Sequence, residues 1–163
     1  MRPVLPQSHH SSARGFTLVE IMVVVVIVGL LAALAVPSYM RVRRATQNNR
    51  VANDFRVFAQ AFEIYNTQNG FWPNNIGAGK VPTGPVAMNN DFKTDTWTSD
   101  TTIGGQWNWD KNKNGITASI SITGYTCDDD QLTEIDAKID DGNLATGNLQ
   151  KAAPDRISLI LEL

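Results

Sequence analysis

The chain has 163 residues, which is enough for one ordinary domain and short for two. Its 14 Lys plus Arg and 16 Asp plus Glu leave a formal net charge of −2, which argues against a nucleic-acid binder held by a basic surface. A single Cys excludes an internal disulfide framework and a structural zinc site built from cysteines.

Residues 1–15 form a polar leader, in which proline and serine oppose regular structure and two arginines supply positive charge. From Phe16 to Val36 every residue except Thr17, Glu20 and Gly29 is apolar, which is about the length that crosses a bilayer as a helix. We therefore predict a transmembrane helix over residues 16–40.

Residues 41–69 form the amphipathic half of the same predicted helix. No Gly or Pro occurs from Arg41 to Gln68, and Pro37 before them is expected to bend the helix. Apolar residues recur here at alternating spacings of four and three, which places them in one stripe along the helix. The stripe consists of Val51, Phe55, Phe58, Phe62 and Tyr65.

Residues 70–163 are predicted to form a loop-rich head with a small antiparallel β-sheet. Strands are expected at Gln106–Trp109, Ile116–Thr123 and Ile157–Leu163, and a short helix at Asp129–Ile139. The Thr- and Asp-rich stretch Thr94–Thr102 is expected to be irregular. The predicted fold class is α+β, with a long N-terminal helix packed on a small sheet.

The segment Gly15-Phe16-Thr17-Leu18-Val19-Glu20 directly precedes and opens the apolar run. It resembles the processing site of type IV pilins and type II secretion pseudopilins. The resemblance implies that a prepilin peptidase cleaves after Gly15 and methylates the new terminus on Phe16. It also implies a structural subunit of a homo-oligomeric helical filament, built by the pilus or type II secretion machinery.

The same resemblance implies a single-pass protein of the bacterial inner membrane, with its head in the periplasm before assembly into a pilus or pseudopilus. Charge counting does not favour a cytoplasmic N-terminus, because four arginines follow the span and only two arginines and the initial amine precede it. The four are Arg41, Arg43, Arg44 and Arg50. We give the leader motif more weight than the charge count.

Glu20 is expected to have a role in assembly. A carboxylate inside an apolar span costs a few kcal/mol in lipid unless it has a partner. Cleavage after Gly15 would create a cationic amine on Phe16, and Glu20 of one chain could pair with that amine on a neighbouring chain. Such a pairing would favour assembly and set the register of the packed helices.

An alternative is a conventional secretory signal, in which Ala33-Leu34-Ala35 is the cleavage site and the product starts at Val36. That product would be a secreted or anchored module that binds carbohydrate or calcium. Glu20 has no role in this alternative, since it merely interrupts the apolar segment.

A calcium site is one hypothesis for the head, because Asp110, Asn112 and Asn114 match the first half of a D-x-N-x-N-G calcium loop. Ser121 stands where that loop has its bidentate Glu, so a tight hairpin turn at Asn114-Gly115 is the favoured alternative. A second oxygen-rich region comprises the aspartates 128–130 and the segment Asp140-Asp141-Gly142-Asn143, without a recognisable ligand pattern. No other cofactor is predicted.

The four Trp residues and Cys127 are expected to have structural roles. Trp107 and Trp109 lie two residues apart on one side of a strand, and we expect them to cover the phenylalanine stripe rather than to stack on sugars. Cys127 is expected to be a buried or half-buried thiol. No enzymatic activity is predicted, because both His residues lie in the leader and are removed with it.

Overall fold

The computed structural model describes residues 15–113 and 115–163. It contains three helices, α1 (Leu18–Asn69), α2 (Thr94–Thr98) and α3 (Asp129–Ile139). Its four strands are β1 (Gln106–Lys113), β2 (Ile116–Thr123), β3 (Leu149–Ala153) and β4 (Arg156–Glu162). The chain divides into two units, Met1–Arg41 and Val42–Leu163, and α1 contributes residues to both.

The helix α1 confirms the predicted N-terminal helix to within two residues at each end. It continues through Pro37 and ends at Asn69, where Gly70 follows with a φ of 76° and donates its N–H to the Asn66 carbonyl at 2.8 Å. Glycine suits that left-handed conformation because it has no Cβ to clash with the following carbonyl. The predicted stop at Asn69-Gly70 is therefore confirmed.

The second unit holds one antiparallel sheet with the strand order β1-β2-β4-β3. The hairpin of β1 and β2 pairs Lys113 with Ile116, so that only two residues connect the strands. The strand β2 leads through α3 to β3, and a second hairpin joins β3 to β4 at the pair Ala153–Arg156. The predicted α+β class with a small antiparallel sheet is confirmed.

Aromatic side chains form the centre of the second unit. Trp107 lies with its ring centroid 4.8 Å from Phe55 and 4.9 Å from Phe58, and Trp97 lies 4.9 Å from Phe58. All four Trp side chains of the chain are buried. Each such side chain removed from water contributes roughly 1.5–3 kcal/mol, so this cluster contributes substantially to the unit's stability.

The opposite face of the sheet carries a buried polar network. Because side chains alternate along a strand, Asn108 and Asp110 point away from the tryptophans of β1. Ser121 on β2 donates to Asp110 at 2.6 Å and lies 3.0 Å from the hydroxyl of Ser158 on β4. Hydrogen bonds thus connect Asp110, Ser121 and Ser158 across three strands.

Polar contacts attach α3 to α1 within the second unit. Arg44 forms ion pairs with Asp128 at 3.0 Å and Glu134 at 3.1 Å, and buried Asn48 accepts from Gln131 at 2.8 Å. Asp128 is also the N-cap of α3, because its side chain accepts the Gln131 N–H at 2.7 Å. The predicted helix Asp129–Ile139 is confirmed with the same bounds.

Three details of the sequence prediction are wrong. The stretch Thr94–Thr102 is not wholly irregular, because α2 occupies Thr94–Thr98 and places Trp97 in the core. The strand β3 was missed, since Lys151, within its five residues, is polar and only Leu149 is fully buried. The strand β1 extends past Trp109 to Lys113, where a turn was expected, because Asp110 finds charged partners.

Candidate functional site

Gly15, Phe16 and Thr17 directly precede α1, and the helix begins at Leu18. The Phe16 side chain is 83% exposed, and among the described residues no atom lies within 4 Å of the position that a Cβ on Gly15 would occupy. Nothing in residues 15–113 and 115–163 therefore covers the peptide bond between Gly15 and Phe16. The remainder of the predicted leader, residues 1–14, lies outside the described residues.

Thr17 and Glu20 form a reciprocal cap at the start of α1. The Glu20 carboxylate accepts the Thr17 backbone N–H at 2.8 Å and the Thr17 hydroxyl at 2.8 Å. The Glu20 N–H in turn donates to the Thr17 hydroxyl oxygen at 3.2 Å. This capping box satisfies helix donors that would otherwise have no partner, and it gives Glu20 a local partner within its own chain.

The first two-fifths of α1 expose an almost wholly apolar surface. Its large side chains from Leu18 to Met40 are between 50% and 79% exposed, and Glu20 is the one charged residue among them. By length and composition α1 contains a segment that can cross a membrane. An exposed apolar surface of this size requires lipid or other apolar helices around it.

Asp110, a predicted calcium ligand, lies among cationic groups. It forms ion pairs with Arg156 from β4 and with Lys113 at 3.0 Å, and it accepts from Ser121 and from Asn108. Burial alone raises the pKa of Asp110, but the hydrogen bonds from Ser121 and Lys113 and the charge of Arg156 lower it below the usual value for aspartate. A cation at this carboxylate would compete with two basic side chains.

The other two predicted calcium ligands lie at the end of the hairpin. Asn112 has a φ of 52°, a conformation that asparagine adopts more readily than most residues. Asn114 lies outside the described residues. The pairing of Lys113 with Ile116 confirms the hairpin alternative, while calcium binding at Asp110, Asn112 and Asn114 stays a prediction.

The tryptophans have the structural role that the sequence predicted. Trp109 stacks on Phe62 with ring centroids 4.2 Å apart, and Trp107 contacts Phe55 and Phe58, so both cover the stripe of α1. Since Trp72 and Trp97 are buried as well, none of the four offers a surface for stacking on a sugar. Cys127 is half-buried as predicted, and burial raises the pKa of its thiol.

Asp136, Asp140 and Asp141 come together at the end of α3. The sequence analysis singled out Asp140 and Asp141 as part of an oxygen-rich region but missed Asp136. A carboxylate oxygen from each lies within 4.8 Å of those of the other two. Burial raises the pKa of Asp136 to about 6, and the charges of Asp141 and Asp140 act in the same direction. The signal in the sequence is the four-residue spacing of Asp136 and Asp140, which places both on one face of a helix.

The described residues form a long helix with an exposed apolar N-terminal segment and a small antiparallel sheet, which is a pilin-like α+β arrangement. Residues 10–36 match the prokaryotic N-terminal methylation motif. This match covers both the predicted cleavage site and Glu20.

The chain is similar to curated proteins of two related classes. It is 42% identical over 62 residues to type II secretion system core protein G of Klebsiella michiganensis, which covers 38% of this chain and 44% of the relative. It is 37% identical over 81 residues to the protein of the same name in Dickeya chrysanthemi, and the match covers 47% of this chain and 53% of that relative. It is 38% identical over 66 residues to type IV major pilin protein PilE1 of Neisseria gonorrhoeae, and that match covers 40% of this chain and 31% of the relative.

The chain thus spans about half or less of the length of these curated relatives. No solved structure matches it significantly. The motif and these relatives show that the N-terminal part of the chain is similar to type IV pilins and type II secretion pseudopilins.

Proposed function

We propose that this protein is a structural subunit of a type IV pilus or a type II secretion pseudopilus. The observation that carries the proposal is the methylation motif at residues 10–36, which lies at the start of an exposed apolar helix whose one charge is Glu20. The relatives are components of pili and of the type II secretion system, which supports the same assignment.

In this proposal a prepilin peptidase cleaves the bond between Gly15 and Phe16 and methylates the new amine. Support comes from the motif and from the exposure of both residues. The apolar part of α1 then anchors the subunit in the inner membrane, with the sheet on the periplasmic side. During assembly the same surface packs against the helices of neighbouring subunits, which replace lipid as its apolar environment.

Glu20 directs assembly in this proposal by exchanging partners. In the single chain its carboxylate accepts two hydrogen bonds from Thr17. In the filament it pairs with the cationic amine of Phe16 on an adjoining subunit, so that neither charge remains alone in an apolar environment. Head-to-tail contacts of this kind do not close on themselves and therefore generate a polymer.

The proposal is tested by producing wild-type protein and the Glu20→Gln variant in a bacterium that has the assembly machinery. Gln keeps the shape of the side chain but removes its charge. We expect equal amounts in the membrane and an at least about tenfold lower yield in sheared filaments, equivalent to about 1.4 kcal/mol per contact. The matched control is Glu63→Gln, which removes an exposed carboxylate from another part of α1 and should leave the yield unchanged.

Two results would count against the proposal. If Glu20→Gln gave the same filament yield as the wild type, the proposed pairing of Glu20 with the Phe16 amine would not be needed for assembly. Wild-type protein that stays monomeric in such cells would instead favour the alternative of a binding module released by cleavage before Val36.

A further inference from the structure

The apolar segment of α1 ends at an aromatic residue and a basic residue, in the sequence Tyr39-Met40-Arg41. Tyr39 is the one aromatic residue between Thr17 and Arg41, and it is 68% exposed. Arg41 is exposed as well. Tyrosine is enriched where a helix passes from lipid into water, because its ring is apolar and its hydroxyl is polar. This end of the segment therefore has the composition of a membrane boundary.

The length of the apolar segment places Arg41 at that boundary. Residues 18–40 are helical. At 1.5 Å per residue they extend over about 34 Å, compared with about 30 Å for the hydrocarbon core of a bilayer. When this segment crosses a bilayer, Arg41 lies at the level of the lipid phosphates. A long basic side chain suits this depth, since its apolar stem lies along the helix while its charge reaches the headgroups.

The arginines that follow the segment differ in their partners. Arg44 forms ion pairs with Asp128 and Glu134. Arg41 and Arg43 are exposed, and none of the ion pairs found in the described part of the chain involves either of them. The two guanidinium groups nearest to the apolar segment are therefore available to a ligand from outside the chain.

A lipid phosphate matches these two groups in chemistry and in depth. A guanidinium group donates two parallel N–H bonds to two oxygens of one phosphate, and the opposite charges strengthen both bonds. Each basic residue close to an anionic membrane surface strengthens association about fivefold. In a zwitterionic lipid a cationic group attached to the phosphate opposes this attraction. The ligand that fits best is therefore an anionic phospholipid.

We propose that Arg41 and Arg43 bind the headgroup phosphates of anionic phospholipids such as phosphatidylglycerol, and that Tyr39 fixes the depth of the helix in the membrane. The inference rests on the proposed anchoring of α1 in a membrane and adds the class of lipid that surrounds it. It also gives a role to two arginines that make the charge count unfavourable for a cytoplasmic N-terminus, because lipid phosphates neutralise them.

The test uses the full chain in phosphatidylcholine vesicles that contain a small fraction of a photoreactive lipid. The photoreactive group is attached to the headgroup of either phosphatidylglycerol or phosphatidylcholine, and mass spectrometry locates the cross-linked residues. We expect cross-links near Arg41 to be at least about fivefold more abundant from phosphatidylglycerol. The preference should weaken in about 1 M salt, which screens charges beyond a few ångströms. The double variant Arg41→Gln/Arg43→Gln should lose it.

The matched control is Arg50→Gln, which removes an exposed arginine further along the same helix and should keep the wild-type preference. Equal cross-linking from both lipids in the wild type would overturn the inference, and so would an undiminished preference in the double variant. Inorganic phosphate added to the solution should not compete, and full competition would assign the arginines to free phosphate instead of lipid.

Flotation of the vesicles separates this inference from the proposed function. A chain that does not float with the vesicles would contradict the anchoring of α1 and, with it, the binding of lipid by Arg41 and Arg43. A chain that floats but shows no preference between the two lipids would contradict only the lipid inference. The proposed cleavage and filament assembly would then be unaffected.

Discussion

Phe62 on α1 and Trp109 on β1 stack with their ring centroids 4.2 Å apart and their planes 18° from parallel. Both side chains are completely buried, and the Trp109 indole N–H donates to the Pro73 carbonyl at 3.0 Å. The pair thus joins the amphipathic part of α1, the first strand and the loop after the helix. We expect this pair to be a principal contact between the sheet and α1.

We expect Phe62→Ala to destabilise the second unit by about 3–5 kcal/mol, because it removes a buried ring and leaves a cavity beside Trp109. Thermal unfolding of the detergent-solubilised chain, followed by near-ultraviolet circular dichroism of the tryptophans, measures this effect. The control Val57→Ala, at an exposed position of the same helix, should change stability by less than about 0.5 kcal/mol. Similar losses in both variants would show that the stack is not a principal contact.

Asp110 and Arg156 connect β1 with β4 across β2, with 6% and 19% of their side chains exposed. The variant Asp110→Asn removes the negative charge that neutralises the largely buried Arg156 guanidinium. We therefore expect the free energy of unfolding to fall by about 3 kcal/mol. Chemical denaturation of the full chain measures it. The double variant Asp110→Asn/Arg156→Gln should recover part of the loss, because no charge then stays unpaired.

The exposed pair of Asp129 and Lys151 is the matched control for this ion pair. Asp129→Asn should change the denaturation midpoint much less, since water screens exposed charges. If Asp110→Asn proved as mild as Asp129→Asn, the strand extension to Lys113 would not depend on the buried pair.

Asp128 makes the attachment of α3 to α1 dependent on pH. Its backbone hydrogen bond from Gln131 and the charge of Arg44 lower the pKa of Asp128 below the usual value for aspartate. Because the folded-state pKa is depressed, the stabilisation is fully present above the unfolded value of about 3.9 and is lost as the pH falls through the folded-state pKa.

The variant Asp128→Asn isolates this charge, since Asn is as good an N-cap as Asp but does not titrate. We expect the wild type to unfold at a higher temperature than Asp128→Asn at pH 7, and we expect this difference to shrink as the pH falls below about 3.9 towards the folded-state pKa. Thermal scans from pH 7 to pH 2 measure the difference. A difference that stayed constant over this range would assign the effect to something other than the carboxylate charge.

The sequence predicted those elements whose residues carry a periodic pattern of their own. The stripe from Val51 to Tyr65 specified the amphipathic part of α1, and the alternation in Ile116–Thr123 specified β2. The missed elements depend on distant partners. The polar half of β1 is a strand because Arg156 neutralises Asp110, and β3 forms because it pairs with β4.

The N-terminal site was predictable because its residues are consecutive and its motif is local. The group at the end of α3 was not, because the burial of Asp136 depends on how α3 packs rather than on its neighbours in the chain. The spacing of Asp136 and Asp140 indicates a shared helix face, but the sequence does not show that this face is turned inward. The sequence therefore predicts which carboxylates are adjacent and leaves their environment to the tertiary structure.

The most direct test of the central claim is the N-terminal mass of the mature chain. The full-length protein is produced together with a prepilin peptidase, extracted from the membrane and analysed by mass spectrometry. The account predicts a chain that begins at Phe16 and is heavier by one methyl substitution on its terminal amine. A chain that keeps residues 1–15 in the presence of the peptidase, or one that begins at Val36, would contradict it.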